Sequence, residues 1–309
     1  MLALRPSLPT AAKLLPEPPG GGDSVQAGPS PPTPSMPVLP LAEPYSFRLS
    51  TERLRAWGPD LATLWHEDGV LRVVGGREVR IEETPGGVRV EPLAGDVEPI
   101  VRHLLGAPFD LAAFAAFAAE EPVLAPVVDR LRGLRPLLLP DPFEALVTSI
   151  TAQQVSLFAA TAVRNRLIER YGKRAGHAFA FPAPERLAAV EPEELVALGF
   201  SRRKAEYVVG LARLSPTLDG LAALPDEEVK ARLRAIRGLG EWTADWFLAR
   251  HLGRPQAWPA GDLGVRKAVS AFYGGGRELS TEEVRGMGAR FAPFQNLTVH
   301  YLLVAGRLP

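Results

Sequence analysis

The chain has 309 residues, 46% of them hydrophobic, which suffices for sizeable apolar cores. Its 35 basic and 35 acidic residues cancel, so net charge neither requires nor excludes a polyanionic partner. The lack of cysteine excludes disulfides, thiolate zinc sites and cysteine-ligated iron–sulfur clusters. No uninterrupted apolar run reaches the roughly 18 residues of a membrane span, and the first residues lack the continuous apolar core of a secretory signal, so the cytosol is the expected location.

Residues 1–44 are crowded with proline, glycine and serine and offer no periodic apolar face, the pattern of a disordered tail. From Tyr45 short alternating stretches follow, YSFRL, VLRVV, REVRIEE and GVRVEPL, broken at GGRE and TPGG. Period-two alternation bounded by glycine predicts a small antiparallel sheet, with a helix near Thr51 to Trp65. From Val97 the apolar residues recur at three and four, and glycine or proline punctuates at the spacing of short helices, so about ten helices are expected to Leu308. The expected fold class is α+β, with a tail over 1–44, a sheet-bearing unit over 45–135 and a mainly helical body over 136–309.

Within the helical part, LRAIRGLGEWTADW places Gly238 and Gly240 in a tight turn directly before a helix beginning at Glu241. Glycines there leave backbone N–H groups uncovered at a helix N-terminus, where the dipole favours a phosphate. An ordinary helix–turn–helix corner carries the same pattern. Basic residues gather at two such junctions, Arg202, Arg203 and Lys204 at one and Arg232, Arg234 and Arg237 at the other, which suits a phosphate backbone or a solvated face. Trp242 and Trp246, four apart, share a helix face and serve either as core or as a stacking wall for a flat, cationic ligand. Asp262, in PAGDLGVRKAV, is placed to cap a helix or to stabilise developing positive charge.

As a set, FEALVTSITAQQVS, LGFSRRKAEYV, IRGLGEWTADW and the GD of AGDLGVRKA resemble the helix–hairpin–helix DNA glycosylases, specifically the AlkA-type 3-methyladenine-DNA glycosylases, over about Pro142 to Leu308. Tyr45 to about Arg135 resembles, more weakly, the N-terminal sheet domain of that family. The resemblance implies a protein that kinks duplex DNA from the minor groove and extrudes one nucleotide into a cleft. It places the phosphate clamp at Gly238, Leu239 and Gly240, with Arg202 and Lys204 as further DNA contacts. It implies a monovalent cation, sodium or potassium, on the backbone carbonyls of Arg234, Ile236 and Gly238. Asp262 falls on the family's essential aspartate, and Trp242, Trp246 and Phe294 fall on its pocket aromatics. At the wedge position, where the best-known pattern has leucine, this chain has Gln154, with Gln153 beside it.

The implied chemistry is hydrolysis by a monofunctional enzyme, because Trp242 occupies the position at which bifunctional members carry a Schiff-base lysine. Alkylation at N3 or N7 makes a purine cationic and a good leaving group, so a carboxylate and electron-rich rings suffice. The expected partner is double-stranded DNA containing 3-methyladenine or 7-methylguanine, bound by a monomer with no other cofactor and no membrane. Alternatives are a glycosylase for uncharged bases such as hypoxanthine or 8-oxoguanine, and a non-catalytic DNA-binding module.

Overall fold

The computed structural model describes residues 38–308. Strand β1 (Val38–Pro40) precedes helices α1 (Phe47–Ser50) and α2 (Arg53–Ala56), followed by strands β2 (Thr63–His66), β3 (Gly69–Val74), β4 (Arg77–Thr84) and β5 (Gly87–Glu91). These strands form one antiparallel sheet in the order β1-β5-β4-β3-β2. Alternation sets the register: Val79 and Ile81 of β4 and Val88 and Val90 of β5 are fully buried, and Val90 lies opposite Ile81.

Three expectations change here. Residues 1–37 of the expected tail lie outside the described residues, but Val38–Pro40 pair with Gly87–Arg89 and belong to the sheet. The YSFRL stretch is helical, because Ser46 caps α1 by accepting the Leu49 N–H. The helix expected through Trp65 ends at Ala56, and Trp65 stands in β2.

The remaining helices are α3 (Val97–Leu104), α4 (Leu111–Ala119), α5 (Ala125–Arg130), α6 (Pro142–Ala152), α7 (Leu157–Tyr171), α8 (Pro184–Ala188), α9 (Pro192–Ala197), α10 (Arg202–Arg213), α11 (Asp226–Arg234), α12 (Glu241–Arg250), α13 (Leu263–Tyr273), α14 (Thr281–Met287) and α15 (Gln295–Ala305). They number thirteen among the described residues rather than ten, and a hairpin of β6 (Lys173–Ala175) and β7 (Ala178–Ala180) interrupts them. The buried side chains form two clusters. The smaller joins the sheet to α3, from Leu39 to Leu105; the larger runs from Phe109 to Ala305, so α4 and α5 pack with the helical body.

Between the clusters runs a buried ion network. Arg72 of β3 donates to Glu144 of α6 at 2.5 Å and to Thr63 Oγ1 at 2.7 Å, while Arg164 of α7 pairs with Asp60 and lies 3.6 Å from Glu144. Glu144 is fully buried, so its charge depends on both guanidiniums. The network holds α6 and α7 against the sheet, and the principal cleft opens beside them.

Candidate active site

Asp262 organises the cleft. As the N-cap of α13 it accepts the Val265 N–H on Oδ1 at 2.9 Å. Its Oδ2 accepts two indole N–H groups, from Trp242 at 2.7 Å and Trp246 at 3.1 Å. The cap and the charge-stabilising role are therefore compatible, because the two oxygens divide the work. A carboxylate has about four acceptor positions, and three N–H donors leave one for a reacting group or water.

Trp242 and Trp246 lie one turn apart on α12 and aim their N–H edges together at this carboxylate. Trp242 is half-buried with its ring lining the cleft, whereas Trp246 is 5% exposed and its face is covered by Arg250, whose Cζ sits 3.9 Å from the ring centroid. Both expected stacking residues line the cleft, with one correction: Trp246 is already stacked with a guanidinium, and Trp242 is the more open of the two. Phe294 is corrected as well: it packs against Phe114 and Phe117 at centroid distances of 5.7 and 5.3 Å and is not among the residues lining the cleft.

The cleft has a volume of about 570 Å³, in the range of small-molecule pockets. Besides the α12 and α13 residues its walls include Thr148 and Ser149 of α6, Leu157 and Thr161 of α7, and Arg53 and Trp57 from the sheet-bearing part. The sequence reading missed Arg53, Arg250, Lys267 and Arg307, all lining this cleft. Arg250 carried a signal, since residues 242, 246 and 250 form one stripe at i, i+4, i+8. Arg307 is engaged with Glu52 at 3.0 Å. Burial first, and Arg53 second, lower the pKa of the Arg250 guanidinium from its usual range, and Asp262 opposes them.

The hairpin lies between α11 and α12. Gly238 takes φ +95°, and a Cβ there would meet the Tyr207 ring at 2.3 Å, so glycine is required by both backbone and packing. Gly240 has ordinary extended backbone with open space where a Cβ would stand, and it leads into α12 as an exposed residue. Leu239 is buried and its N–H is used inside the hairpin, donating to Ile236 O, so the outward donors are left to Gly240 and the start of α12. Glu241, at the same helix start, is offset by Arg285 at 3.0 Å. Of the carbonyls expected to hold a cation, Ile236 O accepts the Leu239 N–H and Gly238 O accepts from Gln153 Nε2 at 3.0 Å; each keeps a second lone pair, and such neutral oxygens suit a weakly bound monovalent ion.

The expected side-chain DNA contacts are differently engaged. Arg202 pairs with Glu193 at 2.8 Å, and Lys204 donates from Nζ to Thr151 O at 2.9 Å, closing the C-terminus of α6. Desolvation lowers the Lys204 pKa. Gln153 is tied to the hairpin, whereas Gln154 is exposed in left-handed backbone, φ +55°, projecting from the α6–α7 turn beside exposed Val155, Leu157 and Phe158.

This geometry can be set beside known proteins. Residues 147–291 match the family described as HhH-GPD superfamily base excision DNA repair protein. The 3-methyladenine DNA-glycosylase from Archaeoglobus fulgidus superposes with a TM-score of 0.81 and 26% identity, covering 88% of this chain and 99% of that one. The DNA-3-methyladenine glycosylase of Bacillus subtilis (strain 168) is 28% identical over 62% of this chain and 66% of its own length. DNA-3-methyladenine glycosylase 2 of Escherichia coli (strain K12) is 36% identical over 43% of this chain and 49% of its own. The chain thus spans between about half and two thirds of these curated relatives. The hairpin, the paired indoles and the capping aspartate thus stand in a segment, residues 147–291, that is similar to the HhH-GPD superfamily of base excision DNA repair proteins.

Proposed function

We propose that this protein is a monofunctional DNA glycosylase that extrudes an alkylated purine, 3-methyladenine or 7-methylguanine, from duplex DNA and hydrolyses its N-glycosidic bond. The observation that carries the reading is the carboxylate of Asp262, held by two indole N–H groups and a helix N-terminus at the wall of a cleft large enough for a nucleoside. Fixed in this way, Asp262 stabilises an oxocarbenium-like sugar without reorganising and orients the attacking water. The Trp242 ring stacks on the cationic base, contributing roughly 0.5 to 2 kcal/mol. The cationic base leaves without a strong general acid. Backbone N–H groups at Gly240 and the start of α12 hold a phosphate, and the carbonyls of Arg234, Ile236 and Gly238 would supply a monovalent cation site beside it. Gln154 fills the space that the extruded base leaves. The reading has the protein working on DNA as a monomer in the cytosol.

Asp262→Asn tests it. The substitution keeps size and capping ability but removes the charge, so single-turnover release of 3-methyladenine should fall by a factor on the order of 100 or more while abasic-site DNA is still bound. Parent-rate release by a folded Asp262→Asn protein overturns this mechanism.

A further inference from the structure

We propose that Arg250 selects among extruded bases, its guanidinium donating two parallel hydrogen bonds to adjacent acceptors on the base edge, such as the O6 and N7 of an oxopurine. The inference rests on the glycosylase reading above and concerns the substrate class admitted to the same cleft.

Three observations carry it. The Arg250 side chain makes no hydrogen bond and no ion pair among the described residues, although its Nε is shielded from solvent. Its Nε is thus a shielded donor without a partner, and its half-buried guanidinium keeps donors free at the cleft wall, so the site gains when a ligand supplies the acceptors. Trp246 fixes the group, since Cζ lies 3.9 Å from the indole centroid and the same indole donates to Asp262. The guanidinium and the Asp262 carboxylate therefore share Trp246 as a common neighbour at the wall of one cleft. Finally, Arg53 lines the same cleft without an ion pair among the described residues, so the wall around Arg250 is cationic and suits an acceptor-rich base edge there, while Asp262 supplies negative charge at the other side of Trp246.

Two routes through one cleft follow. A cationic alkylated purine is released because its glycosidic bond is already weak, and Arg250 contributes little to it. The edge of 3-methyladenine carries an amino donor at position 6, which cannot pair with guanidinium N–H groups. A neutral oxopurine has a stronger bond and needs both its binding and its leaving-group charge supported. Donation to O6 and N7 supplies both, since negative charge grows on the departing base. Each good bidentate contact of this kind discriminates by roughly 10- to 100-fold.

The test measures single-turnover release of hypoxanthine and of 3-methyladenine from duplex DNA by the parent, Arg250→Met and Arg250→Lys proteins. Methionine keeps the stacking on Trp246 without donors; lysine keeps the charge without the planar fork. The expected result is a fall of about 10- to 100-fold in the ratio of hypoxanthine to 3-methyladenine release for Arg250→Met, with Arg250→Lys in between. A 7-deaza-hypoxanthine substrate should lose less with Arg250→Met than the natural base does, because one acceptor of the pair is already gone. An unchanged ratio in both variants overturns the inference, as does equal loss on the two substrates, which marks a purely structural role. A parent protein that releases 3-methyladenine but no hypoxanthine also overturns it and leaves the alkylpurine reading standing. Failure to release 3-methyladenine would instead strike at that reading.

Discussion

Single residues here answer to both backbone and neighbours. Gly238 was legible as a turn glycine, but the Tyr207 ring against its Cα was not, because α10 approaches only in the fold. Gly238→Ala should therefore destabilise the protein by roughly 2 to 4 kcal/mol through strain and overpacking, measured by urea denaturation, instead of merely weakening DNA binding. Asp262 and Trp242 were legible by themselves only as a helix cap and part of an aromatic helix face; their joint role in one site came from the resemblance of the whole motif set to the glycosylases. Phe294 was not, because α4 covers it with Phe114 and Phe117 from far upstream. Two buried histidines give a pH dependence. Burial lowers His251 to about 4 and His300 to about 3. Their folded values lie below the unfolded one, so from about pH 6.5 down to about 4 for His251 and about 3 for His300 the unfolded chain binds protons that the folded chain does not, and stability falls as pH drops. Each ring should cost on the order of 2 kcal/mol between pH 7 and pH 5, read as a lower urea midpoint; a flat profile with a folded His300→Gln control would contradict this.

At the level of elements, the strands with full alternation were legible, while the three-residue β6–β7 hairpin was too short to show a period. The helices outnumber expectation because the short ones near α8 and α9 restart at prolines in their first turn. The α6–α7 turn and the α11–α12 hairpin act as a pair joined by Gln153 Nε2 on Gly238 O. Gln154→Ala should slow release from fully paired duplexes roughly tenfold and affect a mismatched lesion less, because extrusion is then easier. Gln153→Ala should loosen the hairpin and weaken binding to both. At Gly240 there is open space in the protein, so a folded Gly240→Val should bind abasic-site DNA more weakly and with a shallower salt dependence; equal affinity would sink the phosphate clamp.

Across the whole molecule, the sequence marked a sheet followed by helices, but not the ion network that joins them, since Asp60, Arg72, Glu144 and Arg164 come from four separate segments. Arg72→Met leaves Glu144 short of a buried partner and should cost about 3 to 5 kcal/mol, a drop in Tm on the order of 10 °C. The central claim is that this assembly hydrolyses a glycosidic bond and stops there, although Lys267 places an amine in the cleft wall. The most direct measurement incubates the protein with methylated duplex DNA, chromatographs the released bases, and examines the strand with and without borohydride. The account predicts free 3-methyladenine, an abasic strand that stays unbroken, and no trapped protein–DNA adduct. Intact methylated DNA, or a cleaved strand with a borohydride-trapped adduct, would contradict it.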